Sequence, residues 1–249
     1  MTSRTVAIIQ ARLSSTRLPR KVLKDLGGKP VLQHVVDRLK KSELIDCVIV
    51  ATTENDEDDE LIDFCRSASV DFFRGEKADV LDRFYRCAKS TSASAVVRVT
   101  SDNPLIDTEV VNNTMQLFHS TGADYAANNL VKTFPHGMDV EVMSMGSLRD
   151  ACKLATRESD REHVTQYIRR NTQHFQLVNL RAKQDWHDIR ITLDDNRDYD
   201  LLNLVVDILG PDATLSEIVN LFKQRPELKA INLSSTVAHA AYNNALNLV

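Results

Sequence analysis

The sequence predicts an α/β fold: a three-layer α/β/α sandwich around a mixed, mostly parallel sheet. Short apolar runs of buried-strand length (residues 6–9, 47–51, 70–74 and 94–100) alternate with amphipathic helical patterns, the signature of βα units with helical crossovers. Residues 6–9 and 47–51 are continuous apolar runs, as expected for strands covered on both faces. With 249 residues and 43% hydrophobic content, one sizeable core is within reach.

The first run, Val6 to Ile9, leads into a basic loop. Pro30 then opens a helix in which Val31, Leu32, Val35, Val36 and Leu39 recur at helical spacing. Residues 47–51, CVIVA, form a second strand, followed by acids at 54–60 and an amphipathic helix. Those acids read as a solvated helix start complementing the dipole, not as a metal site. A third strand at 70–74 precedes a Gly75 turn and a helix with Val80, Leu81, Phe84 and Cys87 on one face. A fourth, SAVVRVT at 94–100, is followed by a helix over 107–121 and a short strand at 124–128. In DVEV at 139–142, Asp139 and Glu141 fall on one face of a strand. They bind sugar hydroxyls or a second metal, or form the polar face of an edge strand. Residues 159–170 read as one helix capped by Ser159 or Asp160. HFQLVNLRA and DIRITL are strand-like, and an apolar helix starts near Arg197. Thr214 and Glu217 stand at capping-box spacing. Residues 1–230 are expected to form a single domain, and 231–249 a C-terminal tail without a readable motif.

The formal net charge is −4, which does not suggest nucleic-acid binding. Residues 12–29, however, hold Arg12, Arg17, Arg20, Lys21, Lys24 and Lys29 against Asp25 alone. Such local positive charge suits a small anionic ligand. No signal peptide is recognised and nothing approaches the ~18 consecutive apolar residues of a membrane span, so a cytoplasmic protein is expected. Cys47, Cys65, Cys87 and Cys152 include no CxxC pair and read as reduced thiols.

The chemistry concentrates at predicted strand ends, where ligands of such sheets bind. After the first strand comes ARLSSTRLPRK, whose hydroxyls, backbone amides and cations are suited to polyphosphate. Neither a Walker loop nor a dinucleotide fingerprint is present. After the fourth strand, Asp102 in SDNP is either a hard-metal ligand or a turn-capping residue.

ARLSSTRLPRK resembles the N-terminal signature of the sugar-activating cytidylyltransferases, the group of 3-deoxy-manno-octulosonate and acylneuraminate cytidylyltransferases. The likeness is closest to the spore-coat polysaccharide synthesis branch. FPHGMDVEVMS at 134–144, REHVTQYI at 161–168 and RITLDD at 190–195 are similar to further segments of that family, in the same order. The resemblance implies a Rossmann-like nucleotidyltransferase fold of the nucleotide-diphospho-sugar transferase type. It implies phosphate roles for Arg12, Arg17 and Lys21. Nucleotide contacts are expected from Ser15, Gly75, Arg98 and Thr100, sugar contacts from Asp139 and Glu141, and Mg²⁺ ligation from Asp102 and Asp194. Asp195 competes with Asp194 for the metal, and either can cap the helix that follows. Residues 130–180 are implied to form a sugar-side and dimerisation region of a homodimer. Ser14 and Arg20 stand where many relatives carry Gly, so a positive φ is less easily reached there.

The expected reaction is Mg²⁺-dependent: CTP plus a 2-keto sugar acid yields the CMP-sugar and pyrophosphate. Two alternatives stay open. One is another transferase on the same sheet, using a different NTP with a sugar 1-phosphate, or a glycosyltransferase. The other is a nucleotide-binding scaffold without catalysis.

Overall fold

The computed structural model describes residues 4–238. Its seven-stranded sheet grows from β1 (Thr5–Gln10), in which Val6, Ala7, Ile8 and Ile9 are fully buried. β1 pairs in parallel with β4 (Cys47–Thr53) on one side and β6 (Ala95–Thr100) on the other. Outside β4 lies β5 (Asp71–Gly75), also parallel. A two-stranded antiparallel hairpin, β2 (Asp25–Leu26) and β3 (Lys29–Pro30), leads from the basic loop into α1 (Val31–Lys40). Beyond β6 the direction reverses: β8 (Glu141–Ser144) is antiparallel to it, β7 (Tyr125–Ala127) is antiparallel to β8, and β9 (Leu177–Asn179) is parallel to β7. The order β5-β4-β1-β6-β8-β7-β9 is the mixed, mostly parallel sheet expected.

Two cores sandwich this sheet. Ala7 and Ile9 of β1 face a core built with α1, α2 (Asp59–Ser67), α4 (Thr108–Thr121), α8 (Asn196–Leu209) and α9 (Leu215–Gln224). Val6 and Ile8 face a second core with α3 (Val80–Ser90), α5 (Met145–Leu154) and α7 (Gln166–Arg170). Burying one Val or Ile side chain stabilises by about 1.5–3 kcal/mol, so β1 side chains alternating between the two faces help hold both helical layers onto the sheet. Thr214 and Glu217 form the predicted capping box of α9.

Several sequence expectations are corrected. β8 starts only at Glu141 and lies inside the sheet, so Glu141 is not on an edge and Asp139 precedes the strand. The helix expected over 159–170 is two short ones, α6 (Glu158–Glu162) and α7, because Val164 between them is fully buried at φ 59°. Asp160 does not cap it but lies within α6, paired with Arg170. Residues 188–193 form no strand. Arg190 makes one parallel bridge with His136, and Leu193 N donates to Asp102 O at 2.8 Å. Gly137 makes that approach possible: at φ 112°, a Cβ there would lie 2.7 Å from the Ile191 carbonyl carbon. Arg20 does adopt the left-handed conformation, at φ 59°, and pairs with Glu60. From the expected tail, Asn232 and Ser235 are buried against the body, and residues 239–249 lie outside the described residues.

Candidate active site

β1 and β6 end side by side, with Gln10 opposite Thr100, and a cleft of about 250 Å³ opens at those ends. The loop after β1 forms one wall. Leu13, Leu18 and Val22 are buried and anchor it, while the residues between them turn outward. Arg20 N and Ser15 N donate to Leu13 O at 3.0 and 2.9 Å. Asp58, fully buried, accepts from Leu13 N at 2.7 Å and from Thr53 Oγ1. Reading the 54–60 acids as a solvated run therefore missed a residue that holds the basic loop in place. The only signal available was that Asp58 follows a buried strand ending in Thr.

Arg12, Ser15, Arg17, Lys21, Thr100, Asp102 and Asp194 all line this cleft. Asp102 and Asp194 meet because the backbones beside them are stitched together. Besides the Leu193 bond, Thr192 Oγ1 donates to Asp102 O at 3.2 Å. Lys21 Nζ lies between the two carboxylates, 3.2 Å from Asp102 Oδ2 and 3.1 Å from Asp194 Oδ1, and donates to Leu193 O at 2.7 Å. Burial works to depress the Lys21 ammonium, but Asp102 and then Asp194 outweigh it and hold it above the ordinary lysine value. For Asp194, burial pushes upward, while Lys21, Arg190 and Arg17 together hold the carboxyl well below the usual range. It is ionised at any pH where the protein would work. Asp102 and Asp194 are two hard-oxygen donors of the kind Mg²⁺ takes, one or two carboxylates with phosphate and water completing its shell, and an ion between them would take the place Lys21 Nζ now holds.

Asp195 has a different task. Its side chain caps α8, accepting from Arg197 N and Asp198 N at 2.9 and 3.2 Å, and receives the Ser235 hydroxyl at 2.6 Å. Of the two adjacent acids, only Asp194 lines the cleft.

A second cavity of about 370 Å³ adjoins the first and shares Arg17, Thr100, Asp102 and Asp194 with it. Arg98, Asp139 and Glu141 line it, with His136, His163 and Arg169. Glu141 is already committed: it pairs with Arg98, accepts from Tyr125 OH, and accepts from Thr165 Oγ1 at 2.7 Å. Burial pushes its carboxyl up, but Arg98 and Arg169 outweigh that and keep it below its ordinary value. Asp139 makes no ion pair among the described residues, and desolvation pushes its carboxyl up to about 6. Gly75 lies outside both cavities. A Cβ there would come within 2.9 Å of Arg83 Cγ, so its smallness serves packing of α3 on β5.

A sequence model described as Cytidylyltransferase matches residues 6–235. The chain belongs to the cytidylyltransferase family. By that membership it is a nucleotidyltransferase. This cytidylyltransferase is 36% identical over 242 residues to an uncharacterized protein, MJ1063, of Methanocaldococcus jannaschii, covering 95% of this chain and 97% of that one. It is 32% identical to the spore coat polysaccharide biosynthesis protein SpsF of Bacillus subtilis, over 88% of this chain and 94% of that one. Among solved structures, a cytidylyltransferase from Leptospira borgpetersenii superposes with a TM-score of 0.87 at 29% identity, covering 91% of this chain and 96% of the other. No helix among the cytidylyltransferase's described residues is long and apolar enough to cross a membrane.

Proposed function

We propose that this cytidylyltransferase activates a sugar for polysaccharide or glycoconjugate synthesis, converting CTP and a 2-keto sugar acid to a CMP-sugar and pyrophosphate with Mg²⁺. The observation that carries this reading is the convergence of Asp102, Asp194 and Lys21 where the two cavities meet. A reaction that joins two substrates needs its charge-handling groups at such a junction.

The cleft beside the basic loop takes the nucleotide, and Arg12, Arg17 and Lys21 neutralise the triphosphate. The adjoining cavity takes the acceptor. Its hydroxyl attacks the α-phosphorus in line with the departing pyrophosphate, and the protein contributes mainly position and charge stabilisation. Asp102 and Asp194 would hold Mg²⁺, which when bound supplies Lewis acidity at the α-phosphate and lowers the pKa of a bound hydroxyl. Arg17, 52% exposed and 3.2 Å from Asp194 Oδ1, is free to turn toward a phosphate. Arg169, only 4.0 Å from Glu141, supports the acid part of the reading, since it is the least tightly paired cation of the acceptor cavity and can take a sugar carboxylate. The reading extends to a cytoplasmic homodimer that joins through residues 130–180, which light scattering of the purified protein tests.

The direct test is thermal unfolding with CTP, GTP, UTP, ATP and dTTP, each with and without Mg²⁺, followed by pyrophosphate release with a panel of sugar acids. A ligand at ~100 times its Kd stabilises by about 2.7 kcal/mol. The largest shift is expected for CTP with Mg²⁺. Preference for another NTP, or no pyrophosphate with any keto acid, would overturn this assignment.

A further inference from the structure

Arg190 is 3% exposed and belongs to none of the groups assigned above, yet its guanidinium reaches three of the site's neighbours at once. Nε and Nη2 donate to the two oxygens of Asp198 at 2.9 and 2.7 Å. Nη2 also donates to Asp194 Oδ2 at 2.9 Å, and Nη1 lies 2.8 Å from His136 Nδ1. An arginine can only donate, so Nδ1 is the accepting nitrogen and the ring carries a proton on Nε2.

The base of this arrangement is rigid. Asp198 is fully buried, accepts Asp194 N at 2.9 Å and Asn232 Nδ2 at 2.8 Å, and Asn232 also donates to Arg190 O. Asp198 alone would satisfy a buried guanidinium's charge. The two additional contacts go to residues that line the cavities, Asp194 and His136. They divide the Asp194 carboxylate: Oδ2 is tied to Arg190, and Oδ1 is the oxygen turned to Lys21 and Arg17.

We infer that Arg190 is a positioning residue for the reaction, fixing Asp194 so that a single oxygen serves the nucleotide side, and linking that carboxylate through His136 to the acceptor cavity. The inference rests on the function proposed above and adds how the two halves of the site are held in register. Groups that orient a metal-binding carboxylate typically govern metal affinity by 10–100-fold.

Arg190→Lys keeps the charge but replaces a planar fork with a point charge that cannot span three partners. The informative measurement is Mn²⁺ titration by electron paramagnetic resonance, with and without CTP, beside steady-state kinetics and a melting curve. In folded Arg190→Lys, Mn²⁺ affinity and kcat are expected to fall about tenfold or more, with CTP affinity in the absence of metal unchanged. Asp198→Asn, which loosens Arg190 and also weakens the bond accepted from Asp194 N while leaving the Asp194 side chain's own partners in place, is expected to reproduce the loss. His136→Ala should raise the acceptor KM while leaving Mn²⁺ affinity alone. A folded Arg190→Lys protein with wild-type Mn²⁺ affinity and kcat overturns the inference, and an unchanged acceptor KM in His136→Ala overturns the link to the acceptor cavity. Failure of the wild type to bind CTP would sink the proposed function while the nucleotide-free Mn²⁺ titration still decides Arg190; a wild type that takes up no Mn²⁺ under either condition overturns both.

Discussion

The cleft proposed for the nucleotide and the cavity proposed for the acceptor share four residues but differ in how they hold the arginines each has to itself. Arg12 is exposed and makes no ion pair among the described residues, and half of the Arg17 side chain is open to solvent. In the acceptor cavity Arg98 is paired with Glu141, whose side chain is 3% exposed. An exposed cation stays solvated at little cost, so it can wait for a polyanion. One largely withdrawn from solvent must be neutralised by the protein itself. On the proposed function, Arg12 and Arg17 are left to be neutralised by the nucleotide's phosphates, whereas Arg98 is neutralised by the protein before any acceptor arrives.

Variants can break this contrast. The largest effect is expected at the junction: Asp102→Asn should lower kcat about 10³-fold with the melting temperature near wild type, because a neutral amide is a poor ligand for a hard cation and Asp102 is not part of either core. Near-normal turnover would remove Asp102 from the metal. Lys21→Ala should cost about 10²-fold in kcat, the usual scale for one charge-stabilising donor, and more in kcat than in the KM for CTP. A change confined to KM would make Lys21 a ground-state anchor.

On the acceptor side stability should respond first. Glu141→Gln takes the counter-charge from Arg98, whose side chain is only 15% exposed, and is expected to destabilise by about 3 kcal/mol, read by chemical denaturation. An unchanged midpoint would mean the pairing is not settled in advance. Asp139→Asn should do the reverse. The folded carboxyl titrates near 6, above its ordinary value of 3.8, so the native state holds the proton more tightly and stability falls as pH rises from about 4 to about 6. Removing the charge should stabilise the ligand-free protein by about 2 kcal/mol at pH 8, with the gain vanishing below pH 4. A pH-independent gain would rule out that titration. The smallest effect, about 1 kcal/mol, is expected for Thr214→Ala at the cap of α9, with no change in either substrate's KM.

The basic loop was legible because its message is local: Arg12, Ser15, Arg17 and Lys21 follow directly on a buried strand, and the cleft contains all four. The strands and helices around β1 were legible for the same reason, since hydrophobic periodicity is a local property. The acceptor side was harder to read. In isolation DVEV reads equally as a sugar- or metal-binding face or as the polar face of an edge strand, but β8 is flanked on both sides, and Glu141 is a buried counter-charge. RITLDD looks like a strand and a turn. Only its approach to Gly137 and Asp102 shows that its backbone serves to join two distant segments. Asp58 and Arg190 escaped notice because a buried charge is recognised by its partners, and those lie far away in the chain.

By itself, then, the amino-acid order determined the layers, the mostly parallel sheet and the basic loop at a strand end, all of which depend on neighbours within a few residues. The tertiary structure decided which of Asp194 and Asp195 faces the cleft, why Glu141 is spent on Arg98, and how Lys21 comes to lie between two carboxylates. Those outcomes depend on desolvation and on distances between segments that only packing brings together.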